Sequence, residues 1–194
     1  PHMGVPGPKI GFLQECLRWL DHWMKGRDTG IMDEPMLRAW LQHSMPPSTG
    51  YRERPGHWVG EPQWPSPHIE QRAYQFSPER LLPVEQEAPR ERNLTVQSPL
   101  SVGLFSGKWC SESAPPDLPD DQREEDGGAL FFQTAPLAEE LPLLGAPVVE
   151  LTLSCDRPLA MVAVRLSDVL PAGPVTRMTY GLLNLTHRDG HERP

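Results

Sequence analysis

Three short runs between Ala135 and Leu185 alternate apolar and polar residues with a period of two. In the first, Val149, Leu151 and Leu153 alternate with Glu150, Thr152 and Ser154. In the second, Val162, Val164 and Leu166 alternate with Met161, Ala163 and Arg165. In the third, Met178, Tyr180 and Leu182 alternate with Arg177 and Thr179. Successive side chains on a strand point to opposite faces, so each run has one apolar and one wetter face. Asp156-Arg157-Pro158 and Pro171-Ala172-Gly173-Pro174 stand between them as turns. The pattern predicts an antiparallel sheet with one face packed on a partner sheet. No catalytic group is needed to explain it.

Proline reinforces a β-and-loop reading. It supplies 24 of 194 residues, where about 5% is usual. Regular helix is therefore excluded over most of the chain, and long ordered loops are expected. A chain of this length buries roughly 70% of its extended surface, so a substantial core is expected. The formal charge of −8 argues against nucleic acid and anionic membranes as main partners, since both select clustered Lys and Arg. No apolar run reaches the roughly 18 residues of a membrane-spanning helix. No signal-peptide pattern is present. Cys16, Cys110 and Cys155 are far apart and odd in number, which reads as reduced thiols in a cytoplasmic protein. In that compartment the sequons at Asn93 and Asn184 are chance matches.

One helix is nevertheless predicted. Gly7-Pro8-Lys9 is a start signal, and Ile10, Leu13, Leu17, Leu20 and Met24 follow at three- and four-residue steps. Phe12, Cys16, Trp19 and Trp23 form a second stripe beside the first. So wide an apolar face needs a large partner surface. Gly26 closes the helix, with Lys25 in its last turn. Further strands are expected at Met36 to His43 (buried on both faces), Ile69 to Phe76 and Ala129 to Thr134, with a short start at Thr95-Val96. Pro46 to Pro67 reads as a Trp-rich loop and Ser77 to Val96 as a polar excursion. Trp58 and Trp64 are expected to plug the ends of a sandwich, or alternatively to form, with Trp109, a binding surface.

Two candidate sites fail on spacing. Ser106 lies in Gly103-Leu104-Phe105-Ser106-Gly107, which is not the G-x-S-x-G elbow of a serine nucleophile. Asp117, Asp120, Asp121, Glu124 and Asp126 lack the alternating ligand spacing of a calcium loop. That stretch reads as a solvated acidic loop with Arg123 as its internal partner.

An ordered set of short motifs carries a resemblance. It comprises Trp58, Trp64-Pro65-Ser66-Pro67, Asp121-Gln122-Arg123, Phe132-Gln133-Thr134-Ala135-Pro136-Leu137, Leu144-Gly145-Ala146-Pro147-Val148-Val149-Glu150-Leu151, Val164-Arg165-Leu166-Ser167-Asp168-Val169 and Gly173. This set resembles the C-terminal part of the cocaine esterase / X-Pro dipeptidyl-peptidase family of serine hydrolases. The resemblance implies a jelly-roll, galactose-binding-like β-sandwich packed on an α/β-hydrolase domain. Residues 1–33 would be the last helix of that hydrolase domain and a linker; residues 34–194 would be the sandwich, incomplete at its C-terminus. It also implies an acyl ester, amide or peptide substrate for the parent enzyme. The family's Ser, Asp and His fall upstream of the helix. No catalytic, cofactor-binding or metal-binding residue is therefore assigned to this chain, and His2 is not taken as the general base. The match departs from the family at Leu159 to Arg165, where an acidic residue is usual before the strand.

Pro1-His2-Met3 fits an expression scar, and neither end resembles a domain boundary, so a fragment of a longer protein is expected. With final strands missing, an unpaired strand edge would favour poor solubility or a homo-oligomer. Two other classes compete: a sugar-binding module built on the Trp residues, and a structural oligomerisation domain.

Overall fold

The structure is a computed structural model that describes residues 8–87, 93–109 and 117–187. The expectations placed on His2, Pro1-His2-Met3, Cys110 and the last residues of the chain lie outside that range. The described chain is mainly β. One long helix, α1 (Phe12–Lys25), precedes the paired strands β1 (Leu37–Gln42) and β2 (Gly56–Glu61). A second antiparallel pair follows, β3 (Tyr74–Ser77) with β4 (Arg80–Pro83). A one-turn helix, α2 (Arg123–Asp126), then leads to the longest pair, β5 (Met161–Val169) with β6 (Val175–Asn184).

The second and third alternating runs form the β5–β6 ribbon. Val162, Val164 and Leu166 are half-buried while Met161 and Ala163 are exposed, as the period-two pattern requires. The turn between the strands is closed by Leu170 N–H to Pro174 C=O (3.0 Å) and Gly173 N–H to Leu170 C=O (2.8 Å). Gly173 takes φ 98°, which only glycine adopts without strain. The register slips between Leu166 and Ser167, so Met178 is the extra residue of a bulge. The first run, Val149 to Leu153, is exposed and joins no ladder among the described residues. Its alternation is a strand signal that finds no hydrogen-bonding neighbour here.

Several boundaries differ from the sequence reading. The region read as a loop from Pro46 to Pro67 contains β2, which pairs with β1 so that Trp40 faces Trp58. Two cross-strand indoles at 5.5 Å, edge to face, stabilise this ribbon and override the Gly and Pro nearby. β1 is a strand but is not buried, because only one strand flanks it. The expected Ile69–Phe76 strand starts later, at Tyr74, and its partner β4 lies inside the supposed polar excursion. Pro78 and the positive φ of Glu79 (59°) make the two-residue turn that joins them. Ala129 to Thr134 contributes only a parallel bridge from Gln133 to Arg80, and Thr95-Val96 is not a strand.

Helix α1 ends as predicted. Gly26 is left-handed (φ 64°); its N–H donates to the His22 carbonyl and the Arg27 N–H to the Asp21 carbonyl, both at 3.1 Å. No α1 residue is buried. The helix is tied to the chain before β1 by charge: Arg18 bridges Glu15 (2.8 Å) and Glu34 (2.6 Å), and Arg38 reaches Glu34 at 3.2 Å. Arg18 holds the Glu34 carboxyl below the usual carboxylate range.

The expected apolar core is slight. Among the described residues only Leu82, Val175 and Leu185 are buried hydrophobics. The chain exposes 15693 Å², where a compact monomer of this mass exposes about 9,300 Å². The tertiary links are instead largely polar.

Candidate functional site

A cluster of long-range side-chain hydrogen bonds surrounds α2, in the stretch read from sequence as a solvated acidic loop. That reading is corrected. Gln122 (0% exposed) and Glu125 (2%) are the largest fully buried side chains, and Asp117 is buried with them. Glu125 is buried because backbone amides face it, and Asp117 because Lys108 pairs with it at 2.7 Å.

Glu125 sits in the single turn of α2 and aims at the loop that precedes it in sequence. Its carboxylate accepts the Gly103 N–H at 2.5 Å and the Phe105 N–H at 2.7 Å. Gln122 shares the enclosure. Its amide donates to the Phe105 carbonyl (3.2 Å) and the Asp120 carbonyl (2.8 Å), and its Oε1 accepts from Arg165 Nη1 at 3.0 Å. The other Arg165 arm meets Asp126 Oδ1 at 2.9 Å. One arginine on β5 thus grips both ends of α2. On the far side, Gln122 N–H donates to the Val175 carbonyl (3.0 Å) and Val175 N–H donates to Asp121 Oδ1 (3.2 Å). These two bonds fasten the start of β6.

Asp121 and Arg123 form a forked ion pair, with Arg123 Nη2 at 2.6 Å from Oδ2. This part of the sequence reading holds. Arg123 and the amides facing it keep the Asp121 carboxyl below its usual range. Asp126 moves the opposite way: burial raises it despite Arg165. The hub also reaches the N-terminal half. Leu118 N–H donates to Thr49 C=O at 3.0 Å, and Thr176 Oγ1 to Met45 C=O at 2.6 Å. Ser44 Oγ donates to the Asp168 carboxylate. Gly107 (φ 73°) is required where the 117–119 backbone passes: a Cβ there would lie 2.6 Å from the Asp117 carbonyl oxygen.

The remaining motif residues fall elsewhere. In Trp64-Pro65-Ser66-Pro67, the Trp64–Pro65 peptide is cis. The buried Ser66 hydroxyl donates to Glu61 Oε2 at 2.5 Å, while His68 Nδ1 lies 2.9 Å from the same oxygen. The serine therefore faces the carboxylate and not the imidazole, which is a turn lock and not a nucleophile–base pair. Ser66 and His68 together hold the Glu61 carboxyl low. Ser106 Oγ donates to the Gly103 carbonyl at 2.7 Å, inside its own turn. Trp58 is half exposed against Trp40 and Trp64 is 42% exposed, so neither plugs a sandwich end, while Trp109 is 88% exposed. No group of three or more His, Cys, Asp or Glu converges as a metal site among the described residues. Among those residues no helix is long and apolar enough to cross a membrane.

Sequence reasoning missed Glu125 and Arg165 as partners of the hub. Each bonds to groups at least 20 positions away, and no local pattern encodes such a contact. The ordered Asp-Gln-Arg motif was the one signal that pointed to this place.

The profile of the X-Pro dipeptidyl-peptidase C-terminal non-catalytic domain matches residues 29–194. The chain belongs to that family. The hub, the Trp64–Pro67 turn lock and all three ribbons lie inside the matched span. Among relatives of the X-Pro dipeptidyl-peptidase C-terminal domain studied by sequence, proteins of Mycobacterium bovis and Mycobacterium tuberculosis, each provisionally named a serine esterase, are 27% identical over 201 residues. The match covers 97% of this chain and 28% of each relative. A protein of Rhodopirellula baltica provisionally named an Xaa-Pro dipeptidyl-peptidase is 25% identical over 166 residues, 84% of this chain and 23% of that protein. The chain thus spans about a quarter of the length of these relatives. No solved structure gives a significant match.

Proposed function

We propose that the chain is the C-terminal, non-catalytic part of an α/β-hydrolase-fold serine hydrolase, acting on acyl esters, amides or X-Pro peptides. Residues 1–33 are assigned to the end of the catalytic domain and its linker, and residues 34–194 to a jelly-roll sandwich that covers the acyl pocket. The observation that carries this reading is the family match over residues 29–194. The open apolar side of α1, with Leu17, Trp19 and Trp23 about half exposed, supports it as a face made to lie on a larger body. In the parent, a serine attacks the acyl carbon, a histidine carries its proton, and an oxyanion hole holds the developing charge. None of those three groups is assigned to these 194 residues. The parent is assigned to the cytoplasm, with neither nucleic acid nor membrane as partner.

A fluorophosphonate probe tests the reading. It should label the parent enzyme and leave the isolated 194-residue chain unlabelled. Labelling of the isolated chain would overturn it.

A sugar-binding module is the second reading, favoured by the exposed indole of Trp109. Calorimetry with galactose and xylose separates the two: saturable heat that disappears in Trp109→Ala supports the module.

A further inference from the structure

The far end of the β1–β2 ribbon brings two histidines together. In the ladder Leu41 pairs with His57, and His43 N–H continues the pairing by donating to the Pro55 carbonyl at 2.9 Å. His43 lies two residues beyond Leu41, so the pleat puts it on the same face as His57. Trp40 and Trp58 occupy the opposite face and stiffen the ribbon between them. The result is a diagonal pair with His43 Nε2 and His57 Nδ1 3.1 Å apart, both rings exposed. The contact is a hydrogen bond between the two rings, whose centroids lie 5.4 Å apart.

We infer that His43 and His57 form a two-nitrogen chelating site for a divalent transition-metal ion, with Cu²⁺ preferred over Zn²⁺. The distance fits the chemistry. At metal–nitrogen lengths of about 2.0–2.1 Å, two ligands at 90° stand about 2.9 Å apart and two at the tetrahedral angle about 3.4 Å. The observed 3.1 Å lies between them. Imidazole suits both ions, and Cu²⁺ binds a given nitrogen site more tightly than Zn²⁺. In the neutral pair one facing nitrogen carries a proton. When the ion binds, that ring moves its proton to its outer nitrogen, so both lone pairs face the metal and no net proton is released. Water fills the remaining positions, since no third His, Cys, Asp or Glu converges here among the described residues.

The test is titration of the full 194-residue chain with Cu²⁺ alone and Zn²⁺ alone, by calorimetry and by electron paramagnetic resonance of the copper form. His43→Ala and His57→Ala should each weaken Cu²⁺ binding about tenfold or more, while His68→Ala leaves it unchanged. The copper spectrum should show coupling to two imidazole nitrogens, lost in either variant, with far-UV circular dichroism unaltered. Three results overturn the assignment: no Cu²⁺ binding up to about 1 mM, equal binding in wild type and both variants, or loss in His68→Ala instead.

Discussion

Arg165 on β5 donates to the Gln122 side chain at 3.0 Å across 43 residues of sequence. This bond joins the long C-terminal ribbon to the α2 turn, and through Gln122 to the Phe105 carbonyl. It lies where an apolar core is slight, so polar geometry carries much of the tertiary organisation. Buried polar groups in such a network stabilise it only while every partner is present.

Gln122→Ala should therefore be costly. It takes the amide donor from the Asp120 carbonyl and the acceptor from one Arg165 arm, and leaves the Phe105 carbonyl with the Asp120 N–H alone. We expect a loss of about 2 kcal/mol, measured as a lower urea midpoint with an unchanged slope. A change within error of zero would mean that water replaces the amide freely.

Asp121 and Asp126 should respond to acid with opposite signs. Arg123 and the facing amides lower the Asp121 value, so its ionised form stabilises the fold above the usual carboxylate range. That stability is lost as pH falls through the lowered value. Burial raises the Asp126 value, so its ionised form costs stability at neutral pH, and stability returns as pH falls through the raised value. Asp121→Asn should lower Tm at pH 7 and flatten its acid dependence. Asp126→Asn should leave Tm at pH 7 equal or higher. The reverse ranking in a pH series of melting curves would contradict the assignment.

Gly107→Ala combines two penalties. The position has φ 73°, and the new methyl would meet backbone atoms of Asp117, Leu118 and Pro119 at 2.6–2.7 Å. Backbone cannot swing aside as a side chain can. A loss of about 2–3 kcal/mol is expected, with faster amide exchange at Gly103 and Phe105 as the loop leaves Glu125.

Leu17→Glu probes the open face of α1. Leu17, Leu13 and Trp23 sit on the helix surface away from the ion pairs of Arg18. If this face, which we assign to the parent's catalytic domain, also pairs copies of the isolated chain, the substitution should raise the monomer fraction in sedimentation at fixed concentration while helix content stays constant. Equal sedimentation of both proteins would place association elsewhere, with the unladdered Val149 to Leu153 run as the next surface to alter.

By itself the sequence determined the parts whose cause is local. The α1 stripe and its Gly26 cap, the β5 and β6 alternation with the Pro171–Pro174 turn, and the family motif order are written in spacing and residue type. Tertiary structure alone decided which strand signals found partners. Val149 to Leu153 alternates as cleanly as β5, yet it has no ladder among the described residues, because pairing depends on what lies alongside. Conversely, β2 lies in a Pro- and Gly-rich stretch and β4 in a polar, Pro-containing one, and both became strands because β1 and β3 flank them. The acidic stretch around α2 shows the same limit most clearly. Charge and polarity predict solvent exposure for Glu125 and Gln122, and only the distant amides of Gly103 and Phe105 and the guanidinium of Arg165 make their burial favourable.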